Sequence, residues 1–149
     1  MFSNCYNLIR VNSPNWYCTN SRNTDWAFRY CRKLIESPVH FDADIYLNGD
    51  MDMFCGCRSL ETIPVTPNNG KTTIRLSSGD NVNFYDCRKL KNIPIRGGEP
   101  GHDAFHNCHS LETQPDCYYN SGTMYNIFKN CYNLRGTIVM CNGGYMSST

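Results

Sequence analysis

Ten cysteines in a chain of 149 residues are the side chains with the greatest capacity for chemistry. Six of them recur in one motif, Phe-x-x-Cys-x-x-Leu, at Cys5, Cys31, Cys57, Cys87, Cys108 and Cys131. A small, weakly polar side chain at one position of a repeat is typical of a buried column, not of a redox or metal centre. Disulfides between neighbouring repeats are unfavourable. Stacked cysteines with parallel Cα–Cβ bonds have Cβ atoms about 5 Å apart, whereas a disulfide needs a Cβ–Cβ distance of about 3.8 Å. We therefore expect these six thiols to be reduced and buried.

Metal-binding patterns are weak in the rest of the sequence. Four cysteines lie outside the motif: Cys18, Cys55, Cys117 and Cys141. The spacing Cys55-x-Cys57 matches no usual zinc site, and no second ligand pair accompanies His106 and His109. We interpret these histidines as surface side chains on a turn, the alternative being a metal held by both, and we expect no metal and no cofactor. The sequence also lacks Gly-x-Ser-x-Gly, a phosphate-binding loop and His-Glu-x-x-His, so we predict that the protein is not an enzyme.

A candidate binding face follows the motif cysteines. Arg32, Arg58 and Arg88 occupy the position after the cysteine in three successive repeats. At about 5 Å in water each adjacent pair of like charges costs about 1 kcal/mol, which an exposed, solvated ridge tolerates. The alternative is a site for an anionic glycan or a phosphate. Aromatic side chains in or beside the loops complete the candidate site, because they suit sugar stacking or protein contacts: Trp16, Tyr17, Tyr118 and Tyr119.

The repeat itself must position these residues. The motif phenylalanines are Phe2, Phe28, Phe54, Phe84, Phe105 and Phe128. Their separation of roughly 20 to 30 residues is the period of leucine-rich repeats and is too short for helix-pair repeats. One coil cannot bury its Phe, Cys and Leu alone, whereas stacked coils form the walls of each other's core. The sequence therefore predicts a single solenoid of six repeats over residues 1–139, followed by a flexible tail over 140–149.

Strand character follows each motif leucine, in the segments 35–39, 61–65, 91–95, 112–116 and 135–139. Proline recurs four residues after the leucine, where it marks the outward side or the end of a strand. A second apolar alternation, in Ile45 with Leu47 and in Ile74 with Leu76, predicts extra strand in the longer coils. The expected fold is thus a leucine-rich-repeat-like solenoid of about six coils. Parallel strands lie on one face, and short helical turns, loops and some extra strand lie on the other.

The pattern Ala-Phe-x-x-Cys-x-x-Leu, in residues 27–34 and 104–111 with Met53-Phe54 as a variant, resembles the BspA-like class of leucine-rich repeats. The resemblance covers residues 1–139 and carries over core positions, with no catalytic residue. Members occur in bacterial surface and secreted proteins, and similar repeats occur in phage-encoded proteins, generally as adhesion or recognition modules. The resemblance therefore implies a location at the cell surface, in secretion or on a virion, as part of a longer protein.

Composition limits the partners. With 14 Lys and Arg against 13 Asp and Glu, the net charge of +1 gives no general attraction to nucleic acid or to an anionic membrane. No apolar run approaches the roughly 18 residues of a membrane span, and the first ten residues show no export signal. The repeat pattern begins at Met1-Phe2 with no preceding cap, so we expect flanking domains or end-to-end self-association.

Two functions of different classes follow from the sequence. The first is a non-enzymatic recognition or adhesion module that presents loops and strand faces to an extracellular glycan or protein. The second is a purely structural spacer within a larger surface or virion protein. Saturable binding that is lost on mutation of Arg58 or Trp16 distinguishes the first from the second.

Overall fold

The computed structural model describes residues 2–12, 17–18, 26–43, 46–47, 52–118 and 125–136, with backbone alone at 17–18, 46–47 and 77–81. Trp16, Tyr119 and the tail therefore lie outside the described residues, as does the side chain of Tyr17. The strands are β1 Tyr17–Cys18, β2 His40–Asp42, β3 Tyr46–Leu47, β4 Val65–Thr66, β5 Ile74–Val82 and β6 Ile95–Pro100. No helix among the described residues is long and apolar enough to cross a membrane.

The strands form two parallel sheets of three strands each, in the orders β1-β2-β4 and β3-β5-β6. Phe41 of β2 pairs with Val65 of β4, and Ile74 of β5 pairs with Ile95 of β6. Parallel pairing between segments more than 20 residues apart requires the chain to return to the same edge each time. Strand lies at described positions of the second apolar alternation, since β3 contains Leu47 and β5 begins at Ile74, whereas Ile45 lies outside the described residues.

The strands predicted directly after the motif leucines were placed too early. In the described part of the chain these segments hold two isolated parallel bridges, Glu36 with Thr62 and Arg96 with Asp116, and the strands proper begin after the recurring proline, at His40, Val65 and Ile95. Proline has no N–H to donate to a ladder, so regular pairing starts beyond it. The carbonyls of the prolines still take part, since Pro94 accepts a hydrogen bond from the N–H of Ile74 at 2.9 Å.

The motif segments, defined as residues 2–8, 28–34, 54–60, 84–90, 105–111 and 128–134, lie side by side in chain order. Their phenylalanine rings form one ladder, with centroids 5.4 to 6.5 Å apart and interplanar angles of 10° to 24°. The four inner rings are fully buried: Phe28, Phe54, Phe84 and Phe105. Each buried ring contributes about 1.5–3 kcal/mol, so the ladder is a major part of the stabilisation.

Each motif segment consists of two successive turns, not the predicted helical turn. The cysteine N–H donates to the carbonyl of the phenylalanine three residues earlier, and the leucine N–H donates to the carbonyl of the cysteine. The residue between Phe and Cys that directly precedes the cysteine has positive φ in all six segments: Asn4, Tyr30, Gly56, Asp86, Asn107 and Asn130. A left-handed residue at this point stops helix propagation and is typical of a type II turn.

A second ladder, of thiol hydrogen bonds, joins consecutive motif segments. The Sγ of Cys57 donates to the carbonyl of Phe28 at 3.1 Å, and that of Cys87 donates to the carbonyl of Phe54 at 3.0 Å. The same bond, at 3.0 to 3.1 Å, is made by Cys31, Cys108 and Cys131. The cysteine is therefore more than a small hydrophobe, because its proton fixes each segment onto the one before it.

Gly56 provides a test of the turn, because it combines a φ of +76° with contact to the ring of Tyr30. A Cβ built on Gly56 would lie 2.2 Å from Cδ1 of Tyr30, whereas a Cβ on Gly70, with φ +75°, meets no atom within 4 Å. Gly70→Ala should cost about 1 kcal/mol of unfolding free energy, and Gly56→Ala about 2–4 kcal/mol. Urea titration of both variants measures the difference. Equal costs would contradict the described packing, and Tyr30→Ala in the Gly56→Ala background should recover the steric part.

The buried thiols predict a loss of stability at alkaline pH. Burial raises the pKa of Cys57, Cys87 and Cys108 above the ordinary thiol value, and raises that of Cys31 and Cys131 to about 11. Above pH 9 the unfolded thiols lose their protons while the folded ones keep them, so the folded state binds more protons and stability falls as pH rises.

The Cys57→Ala variant isolates one thiol from all other titrating groups. The wild-type free energy of unfolding should fall more steeply than that of Cys57→Ala between about pH 9 and 11, by up to about 1.4 kcal/mol per pH unit. Urea titrations at pH 7, 8, 9, 10 and 11 measure both slopes. Identical slopes would show that the thiol of Cys57 is accessible to solvent in the folded protein.

Candidate functional site

The residues that follow the motif cysteines form one column on the surface, here named the post-cysteine column. Its members are Tyr6, Arg32, Arg58, Arg88, His109 and Tyr132. All six side chains are exposed or half-buried. Among the cysteines beside them, four are buried (Cys31, Cys57, Cys87 and Cys108) and Cys131 is half-buried. Cys5, which the sequence predicted to be buried, is exposed, because no described motif segment packs on its outer side. The alternation follows from the turn, in which the backbone reverses direction at the cysteine. The three arginines predicted from the sequence thus share one face, and an aromatic or imidazole ring occupies the remaining positions of that column.

Arg58 and Arg88 are held by a carboxylate that sequence reasoning missed. The Nε atoms of the two guanidinium groups lie 2.6 Å from the two carboxylate oxygens of Asp86, one on each. The side chain of Asp86 is 5% exposed, whereas those of Arg58 and Arg88 are 42% and 43% exposed. One buried negative charge therefore fixes two cations at the surface and offsets the repulsion expected between them.

The signal for Asp86 was its place in the motif, directly before Cys87. Its backbone has a φ of 61°, and its N–H donates to the carbonyl of His106 at 2.8 Å. Asparagine, aspartate and glycine tolerate this conformation best, so an acid there has a structural reason as well as an electrostatic one. Spacing alone could not reveal that its carboxylate faces Arg58, which is 28 residues away.

Rings complete the column at both ends. The guanidinium of Arg32 lies over the ring of Tyr6, with Cζ 4.9 Å from the ring centroid, a favourable cation–π distance. At the other end the rings of His109 and Tyr132 are 5.2 Å apart and tilted by 36°. Tyr132 is 74% exposed and Tyr6 is 49% exposed, so both rings offer a face to an external partner.

Among the aromatic residues predicted as ligand contacts, the structure describes the side chain of Tyr118 alone. It is 46% exposed and lies beside β6, because its N–H donates to the carbonyl of Gly98 at 2.8 Å. Its ring lies close to Gly97, which has a φ of +84°. Tyr118 lies in the chain between two motif segments and not in the post-cysteine column, so the structure does not place it with the three arginines.

An open groove of about 420 Å³ lies beside the column, across three motif segments. It is lined by Glu61, Thr62, Lys89, Lys91 and Ser110. The Nζ of Lys89 is 3.4 Å from Oε1 of Glu61, and both side chains are more than half exposed. Such exposed pairs contribute about 0–1 kcal/mol and rearrange easily, so the lysines remain able to contact a ligand.

The two histidines considered for metal binding have different surroundings. His106 is 18% exposed, and its Nδ1 lies 3.0 Å from Oδ1 of Asp103. Its ring meets that of Tyr85 edge-on at 5.5 Å, whereas His109 lies in the post-cysteine column. Within the described ranges, no three His, Cys, Asp or Glu side chains are close enough together to hold a metal ion.

Cys55 is the buried thiol that lies outside the motif position. It is 2% exposed, and burial raises its pKa to about 11, with the nearby guanidinium of Arg29 acting in the opposite direction. A nucleophilic cysteine needs a lowered pKa and access to solvent, and Cys55 has neither. Its environment is that of a core side chain.

Scans against models of protein families, curated proteins and solved structures found no significant match for this chain.

The arrangement of Asp86 between two arginines predicts strong non-additivity. Arg58→Met or Arg88→Met alone leaves one cation on the carboxylate, so each should cost less than about 1 kcal/mol of stability. The double variant leaves a buried, unpaired carboxylate and should cost about 3 kcal/mol or more. Urea titrations of the four proteins measure the coupling. Lys91→Met, which breaks an exposed pair with Glu112 at 3.7 Å, is the control and should change stability by less than about 0.5 kcal/mol. Additive costs in the double variant would argue against a shared carboxylate.

Proposed function

We propose that this chain is a non-enzymatic recognition module, built as a leucine-rich-repeat-like solenoid of the BspA-like class, whose post-cysteine column binds a glycan or a protein. Support for the solenoid comes from the motif segments, which stack in chain order through the phenylalanine and thiol ladders. A cell-surface, secreted or virion location as part of a longer protein follows from the resemblance of the motif and is part of the proposal.

The observation that carries the proposal is one planar or cationic side chain per stacked segment, along a single exposed face. Loss of side-chain freedom costs about 0.5–1.5 kcal/mol for each side chain ordered on binding. In this column Arg58 and Arg88 are held by Asp86, and Arg32 is held over Tyr6, before any ligand arrives. Preorganised arginines and tyrosines are the residue types that dominate binding energy in interfaces.

The same contacts support the second candidate, a structural spacer. Arg58 meets Asp86, Arg32 meets Tyr6, and His109 meets Tyr132, and each of these three contacts joins neighbouring motif segments. A column that served stacking alone would show the same pairs. The two candidates differ in what a ligand screen finds, and in the effect of a column variant that leaves stability unchanged.

Tyr132 and Tyr125 form a matched pair for this test, because both are more than half exposed and one of them lies outside the column. The intact chain is screened on an array of neutral and acidic glycans and against extracellular matrix proteins. Tyr132→Ala should weaken saturable binding about fivefold or more, since hot-spot aromatics contribute about 1 kcal/mol or more, and Tyr125→Ala should weaken it less than about twofold. Thermal unfolding of both variants checks that each is folded. Binding to no ligand in the screen, or equal effects of the two variants, would favour the spacer.

A further inference from the structure

We infer that the ligand of this face is a linear acidic glycan, carrying a carboxylate or sulfate group on successive sugars. The inference rests on the proposed recognition function and names its ligand class. The surface concerned is the basic strip, defined as the post-cysteine arginines and the lysines next to them in sequence: Arg32, Lys33, Arg58, Arg88 and Lys89. No acidic residue occupies either position in any of the six motif segments.

The first argument is the concentration of charge. The whole chain has a net charge of +1, yet three consecutive motif segments place five cations on one strip. Among the side chains that the structure describes, two carboxylates contact them, Asp86 beneath the arginines and Glu61 beside Lys89. The strip therefore keeps a local positive excess, which attracts an anionic ligand even though the molecule as a whole does not.

The second argument is the orientation of the arginines. Asp86 accepts from Nε of Arg58 and of Arg88, and each arginine side chain remains more than 40% exposed. The terminal amino groups of each guanidinium are thus left for an external anion. A guanidinium offers two parallel N–H donors to a carboxylate or a sulfate, which a lysine cannot do. Because the ion pairs hold the planes in place, an acidic group meets donors that are already aligned.

The third argument is spacing. Arg32, Arg58 and Arg88 sit on segments whose phenylalanine rings stack at 5.9 and 6.5 Å. A ligand that runs along the stack therefore passes one arginine-bearing segment at each step of that size, while the guanidinium groups themselves point to different neighbours, that of Arg32 to Tyr6 and those of Arg58 and Arg88 to Asp86. A pyranose unit in an extended polysaccharide has a similar length, so successive acidic sugars can contact the arginines of successive segments. The C–H face of a sugar also packs well on a tyrosine ring, and Tyr6 and Tyr132 lie at the ends of the same column.

The fourth argument is the narrow width of the strip. Glu36 lies two residues after its motif leucine, Glu61 and Glu112 lie one residue after theirs, and Lys91 stands at the same position in the segment between the last two. This border of mixed charge is less favourable to the second phosphate backbone of a nucleic acid duplex than a wholly basic surface. A single polysaccharide chain with its acidic groups along one edge can contact the cations of the basic strip while the bordering glutamates remain further away.

The experiment measures binding of the intact chain to four polymers by biolayer interferometry: polygalacturonate, dextran sulfate, neutral dextran and oligo-dT. Arg32→Gln is the main variant, because Arg32 contacts a ring and not the buried carboxylate, and Arg88→Gln is the second. Lys129→Gln is the matched control, since it removes the same charge from an exposed residue outside the strip. Thermal unfolding shows whether each variant is folded.

We expect both acidic polysaccharides to bind at least about tenfold more tightly than neutral dextran or oligo-dT at low salt, and to weaken steeply as salt screens the strip. Arg32→Gln and Arg88→Gln should each weaken binding about threefold to tenfold, a loss of one charge-assisted contact, against less than about twofold for Lys129→Gln.

Each of the following results would overturn the inference. Equal affinity for neutral dextran would mean that charge is not recognised, and equal affinity for oligo-dT would identify a nucleic acid surface instead. If the Arg32→Gln variant is folded and binds like Lys129→Gln, the basic strip is not part of the binding site. If acidic polymers fail while neutral glycans bind and depend on Tyr132, this inference is wrong and the proposed recognition function stands; if no glycan or protein binds, both are wrong.

Discussion

The carbonyl oxygen of each motif phenylalanine is the atom on which the stacking of this protein depends. It accepts the N–H of the cysteine in its own turn and, in the five segments that have a successor, the S–H of the cysteine in the next segment. The first bond closes the turn and the second fixes the neighbouring turn in register. Alanine or valine would fill much of the same space but has no proton to donate, and serine would carry a more strongly polar group into the core.

This constraint also explains where the candidate site lies. In the five segments from 28–34 to 128–134 the cysteine points inward to reach the carbonyl of the preceding phenylalanine, and the next residue lies at the surface at the same place in each. Side chains at that position are therefore aligned by the backbone, whatever their chemistry. A column of like charges is normally a liability, and here Asp86 converts two of its members into a fixed pair. The stability of the stack and the order of the candidate site thus have a common origin in the turn.

Sequence patterns revealed the periodic features of the molecule and missed those that depend on contacts across segments. The burial of Phe54, Cys57 and Leu60 and the extra strand of β5 followed from spacing, because each rests on a repeated apolar position. The positive φ before each cysteine was overlooked, although asparagine, aspartate or glycine stands there in five of six segments. Tyr30 is the exception, and its residue type gave no warning. The carboxylate of Asp86 could not be assigned to both arginines, because it pairs with Arg88 within its own segment and with Arg58 of the preceding segment, 28 residues away.

The unequal lengths of chain between the motifs have an evolutionary consequence. The phenylalanine rings stack at similar distances whether the chain between them is short, as from Phe84 to Phe105, or long, as from Phe54 to Phe84. Insertions and deletions can therefore occur in the chain between motif segments and leave the ladders intact, as expected for surface loops. Outward residues beside the cysteines form no part of the ladders and can also change, provided that the buried carboxylate of Asp86 keeps a cation or is replaced together with its arginines. A protein of this design can acquire a different ligand through mutations that never reach its core.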